Sequence, residues 1–198
     1  MKKSLILLLT IILMGVFTAE ASAGSLGVNV PPGYVLEVDS VLTSGGNYYY
    51  PSIIAGINDK LALGVMYDTS LSYFTVSGRY CLVKNLAADV YYRFYDTGSW
   101  KADLRGKTFL NQSLALAGMA SYDSLGTGSF GALGQAEYFF SENWVGNAGI
   151  NYANSSAFAI LGVDYAYGNL AIGLNCIFPT TDFNNPMIEA VIDYFIKK

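Results

Sequence analysis

Period-two alternation is the feature that most constrains this chain. In WVGNAGINYA, residues 144 to 153, Trp144, Gly146, Ala148, Ile150 and Tyr152 form one set. Val145, Asn147, Gly149, Asn151 and Ala153 form the other. Ala88, Val90, Tyr92 and Phe94 alternate with Asp89, Tyr91, Arg93 and Tyr95. Near the end, Ile188, Ala190, Ile192, Tyr194 and Ile196 alternate with Glu189, Val191, Asp193 and Phe195. Successive side chains of a strand point to opposite faces, so each segment reads as a strand with one apolar and one polar face.

Twelve such segments follow one another, at about 34–42, 49–57, 61–67, 73–83, 86–95, 102–110, 113–122, 130–140, 144–153, 157–167, 170–178 and 187–196. The connections after even-numbered segments are very short: NDK, KN, NQ, SEN and GN. Those after odd-numbered segments are mostly longer, such as DTGSWK, DSLGTGS and PTTDFNNP. Sorting by parity predicts an up-and-down sheet with two unlike ends.

The apolar faces cannot all be a soluble core. The chain is 53% hydrophobic and only 13% charged, against about 25% charged in an ordinary soluble domain. Residues 1–23 read as a secretory signal peptide. Lys2 and Lys3 precede the apolar run Ser4 to Phe17, and Ala21-Ser22-Ala23 supplies a small-x-small cleavage site. Residues 24–198 then form a single domain with no apolar run long enough for a membrane helix. An exported, apolar chain that crosses a bilayer without helices must close its strands into a barrel, so that no backbone group stays unpaired. Aromatics gather at segment ends: Tyr67, Phe94, Tyr122, Phe130, Tyr152 and Phe178 by the longer loops, and Tyr80, Tyr138, Phe140, Trp144, Tyr167 and Tyr194 by the short turns. Two such belts mark two membrane interfaces. The fold expected is an all-β, up-and-down antiparallel transmembrane β-barrel of twelve strands, with eight or ten as alternatives.

In this combination the chain resembles the small bacterial outer-membrane β-barrel, porin-like family, over essentially its whole length after residue 23. The resemblance implies a place in the bacterial outer membrane, contact with its lipid and insertion by the barrel-assembly machinery. That machinery reads a terminal aromatic in such proteins. Tyr194 and Phe195 in VIDYFIKK fit that role, while Lys197 and Lys198 depart from the pattern.

Several function classes fall away. The chain has no histidine, so the His-dependent lipases, acyltransferases and proteases among outer-membrane barrels find no general base here. Glu189 and Asp193 share a face but lie roughly 13 Å apart along a strand, too far for paired acid–base work. Without His or clustered Cys, neither a metal nor any other cofactor is implied. Cys81 on an inner face and Cys176 on an outer face are expected to be free thiols. A pI near 4.7 and no basic run give no footprint for nucleic acid.

What remains is the inner face. Parity points Arg79, Arg93, Arg105 and Lys107 into the lumen from the fourth to sixth strands, with Asp89 among them. It points Glu37, Asp39, Glu137, Asp164, Glu189 and Asp193 inward from the first, eighth, tenth and twelfth. A basic wall then faces a mainly acidic one, as in a narrow, passive, porin-like channel for small polar solutes or ions. The same residues could pair across a packed interior and hold a closed barrel shut. Trp100, Lys101 and Phe183 are expected at loop tips, where a binding role would show. A secreted, lipocalin-like barrel for an apolar ligand is the reading that avoids the membrane.

Overall fold

The computed structural model describes residues 33–95, 98–126 and 128–196. The signal peptide expected at 1–23 lies outside the described residues, as do Lys197 and Lys198. Twelve strands run in chain order: β1 Gly33–Thr43, β2 Gly46–Gly56, β3 Leu61–Asp68, β4 Tyr73–Val83, β5 Leu86–Arg93, β6 Ser99–Asn111, β7 Leu114–Asp123, β8 Ser129–Phe139, β9 Trp144–Ala153, β10 Ser156–Tyr167, β11 Leu170–Pro179 and β12 Met187–Ile196. Every neighbouring pair is antiparallel, and β1 closes on β12 from Tyr34↔Ile196 to Leu42↔Ile188. Closure leaves no free sheet edge, which a barrel in hydrocarbon requires. The strand number is twelve, not eight or ten.

Turn chemistry fixes the ends. At the β2–β3 turn, Asn58 Oδ1 accepts from the backbone N–H of Lys60 at 2.8 Å and of Leu61 at 2.9 Å. At the β8–β9 turn, Ser141 Oγ accepts from the N–H of Asn143 and Trp144, both at 3.2 Å. These side chains replace the backbone partner that each tight turn removes.

The parity of the loops is weaker than their sequence suggests. Asn154 and Ser155 both have positive φ, 51° and 63°. That is the conformation of a two-residue hairpin turn, so the β9–β10 connection is as short as any on the other end. Ser44 and Gly45 likewise make a two-residue turn between β1 and β2. Strand β6 begins at Ser99, three residues before the expected start. Trp100 and Lys101 therefore belong to a strand, not to a loop tip. Trp100 faces outward and packs on Tyr122 at 5.1 Å, while Lys101 turns inward.

The outer surface is apolar. Ile53, Leu63, Val90, Ile150 and Leu161 are each more than half exposed, at 51 to 61%. Aromatic contacts sit at the two ends: Tyr67–Phe74, Tyr92–Phe94 and Tyr122–Phe130 by the loops, Tyr138–Phe140 and Trp144–Tyr165 by the turns. A lipocalin-like barrel needs the reverse arrangement, an apolar lumen under a polar skin. Cys81 is buried inside and Cys176 lies on the outer face of β11, and the two form no disulfide.

Candidate pore interior

The interior is layered. At the turn end the inward side chains are small or aliphatic: Val35, Ala62, Cys81, Ala87, Ala115 and Val145 are all buried, with Phe195 beside β1. They line an apolar floor, in which Ala62, Cys81 and Ala87 pack together with Ile54 against them. Above it lies a charged layer, and above that a cavity of about 400 Å³ reaching toward the loop end.

The charged layer begins on β4 to β6. Arg79 and Asp89 are direct cross-strand partners, and Arg79 Nε donates to Asp89 Oδ1 at 2.7 Å. Asp89 also stands opposite Asp103. Like charges at that spacing repel, and Arg105 relieves them, with Nε 2.5 Å from Asp89 Oδ2 and Nη2 3.6 Å from Asp103 Oδ2. Arg105 Nη2 also donates to the Tyr91 hydroxyl at 3.2 Å. Lys101 Nζ closes the group on Asp103 Oδ2 at 3.1 Å.

Two further pairs skip a strand. Lys107 on β6 reaches Glu137 on β8, Nζ to Oε2, at 2.5 Å. Strand β7 lies between and presents only the buried Ala115 and Ala117 there, small enough for the long side chain to cross. Gln135 Nε2 donates to the other oxygen of Glu137 at 2.8 Å, and Phe109 and Phe139 flank the ammonium at 5.5 and 5.4 Å. Nearer the loops, Arg93 on β5 forms a two-bond fork with Asp123 on β7, both bonds 2.8 Å. Such planar forks are the stronger class of ion pair.

All ten residues expected in the lumen occupy inward-facing strand positions, but their grouping differs from two opposed walls. The four basic residues are each paired, three of them with aspartates of their own side of the barrel. Glu137, expected in the acidic wall, is the partner of Lys107. The opposite arc is acidic and sparsely countered. Glu37 accepts from Ser52 Oγ at 2.9 Å and feels the charges of Arg79 and Arg105. Asp39 feels Glu189 and Glu37. Glu189 accepts from Asn175 Nδ2 at 2.9 Å, and Asp164 from Asn147 Nδ2 at 3.3 Å.

The lumen set read from sequence lacks Lys101 and Asp123, because residues 96–101 and 123–129 read as loops, and lacks Asp103 although it lies within the expected strand 102–110 on the parity of Arg105. The parity of β6 held the signal: Ser99, Lys101, Asp103, Arg105 and Lys107 are every second residue of one face.

No family model matches the chain, and no curated protein matches it either. Solved structures do. The KdgM porin in complex with disordered oligogalacturonate aligns with a TM-score of 0.67 at 11% identity, over 82% of this chain and 99% of the other. The NanC porin aligns at 0.57 and 10%, over 81% and 99%. The Acinetobacter baumannii outer membrane protein Omp33 aligns at 0.57 and 10%, over 86% and 100%. The fold is that of porin-like outer-membrane barrels.

Proposed function

We propose that this porin-type barrel is a narrow outer-membrane channel for passive diffusion of small polar solutes or ions, with a preference for cations. It enters the membrane through a cleaved signal peptide and the barrel-assembly machinery. No catalytic step or cofactor belongs to this reading. The observation that carries it is the lumen itself: a cavity of about 400 Å³ where ionic and amide side chains are interspersed with Met66, Met119, Leu133, Ile160 and Ile177, under an outer surface suited to lipid. The cation preference follows from pairing. The guanidinium and ammonium groups spend their charge on Asp89, Asp103, Asp123 and Glu137. The β10, β12 and β1 carboxylates keep more of theirs for the lumen, where low-dielectric walls focus the field.

A second reading, a closed barrel whose charges only brace it, is favoured by the apolar floor and by the full burial of Glu137, Asp89 and Asp193. Single-channel recording of the refolded residues 24–198 in a planar bilayer separates the two. Discrete, reproducible current steps support the channel. A folded, heat-modifiable barrel that stays silent supports the brace.

A further inference from the structure

The lumen wall from β9 round to β1 is short of hydrogen-bond donors. Four buried oxygens there, Asp39 Oδ1, Asn147 Oδ1, Asp164 Oδ1 and Asn175 Oδ1, accept no hydrogen bond. The amide orientations are fixed by their partners. Asn147 Nδ2 is given to Asp164, and Asn175 Nδ2 to Glu189. Each NH₂ group is committed to a carboxylate, so each carbonyl oxygen is left over.

Gly162 brings the two carbonyls together. It stands opposite Asn147 on one side and Asn175 on the other. Both oxygens lie within 2.8 Å of the point where a Cβ would project. Only glycine leaves that space. Charge points the same way: among the described residues no Lys or Arg forms a salt bridge with Asp39, Asp164 or Glu189. Buried acceptor oxygens left open and buried carboxylates without a cationic partner are costly, and a donor-rich cation is the chemistry that meets both deficits.

We infer that this wall binds a small alkylammonium solute. Asp39 and Glu189 face its charge, the Asn147 and Asn175 carbonyls accept its N–H bonds, and its alkyl part lies on Ile160 and Ile177. All six of these residues line the cavity. An ammonium group brings three donors and one charge. A metal ion fits less well, since no group of three or more carboxylate, His or Cys ligands converges among the described residues. The inference deepens the channel reading and rests on it for the entry of solute into the lumen, but binding itself needs no through-current.

The test is isothermal titration of the refolded barrel in detergent with butylammonium chloride, calcium chloride and sodium butyrate. One-site binding of butylammonium is expected, weakened at least about tenfold in the Asp39→Asn/Glu189→Gln double variant. Gly162→Ala is expected to weaken it as well, with no charge removed. The double variant relieves like-charge repulsion, so it keeps its fold and decides the matter if Gly162→Ala does not fold. No binding of butylammonium at millimolar concentration overturns the inference. So does calcium binding as tightly as butylammonium, or a double variant that binds like the parent. A barrel that binds butylammonium and is silent in bilayers retains the site and refutes the channel. One that conducts without binding refutes the site alone.

Discussion

Lys107→Met isolates the most deeply buried salt bridge among the described residues. Lys107 and Glu137 have side chains only 8 and 0% exposed, and their charged atoms are 2.5 Å apart. Removing the ammonium leaves a buried carboxylate in the wall that still accepts from Gln135 Nε2 at 2.8 Å. Breaking a buried pair from one side costs about 3 to 5 kcal/mol. The Gln135 bond places this case near 3, about a hundredfold in the folding equilibrium. The converse change is milder. In Glu137→Gln the ammonium keeps the Phe109 and Phe139 faces, and cation–π contacts contribute about 0.5 to 2 kcal/mol. The double variant Lys107→Met/Glu137→Gln should recover most of the loss, because no charge is stranded. Urea unfolding in detergent, followed by tryptophan emission and by heat-modifiable gel mobility, measures all four proteins. A Lys107→Met barrel as stable as the parent would refute the reasoning, as would a double variant no better than Lys107→Met alone.

Three further expectations follow from the same geometry. Arg93→Gln opens the fork to Asp123 near the loop end, where both side chains are part-exposed, so stability should fall by only about 1 kcal/mol while reversal potentials move further toward cations. Gly149→Ala places a Cβ 2.6 Å from the Gly134 carbonyl oxygen, whereas a Cβ at Gly134 meets nothing within 4 Å; the first should cost about 1 to 3 kcal/mol and Gly134→Ala almost nothing, by the same unfolding assay. Oxidant treatment should leave non-reducing gel mobility of the folded monomer unchanged, since Cys81 and Cys176 lie on opposite faces of the wall.

The strands were legible because alternation and turn chemistry are local. β4, β9 and β12 begin and end at the residues their sequence indicates, bounded by turns such as Ser141-Glu142-Asn143 before Trp144. β6 was read short because Ser99, Trp100 and Lys101 follow Gly98 in a polar run, and the face that Lys101 shares with Asp103 and Arg105 becomes obvious only once the strand is extended. Inward direction could be read from parity residue by residue. Partnership could not: Lys107 finds Glu137 only because β7 offers alanines between them, and Arg93 finds Asp123 across β6. The Gly162 notch was equally hidden, since it depends on two registers meeting at one glycine.

The most direct test of the cation-preferring channel is the reversal potential of the refolded barrel in a planar bilayer under a KCl gradient. A potential of the sign set by potassium, moving toward zero when Asp39 and Glu189 are neutralised, is the predicted result. A chloride-signed potential, or a folded barrel that passes no current, would contradict it.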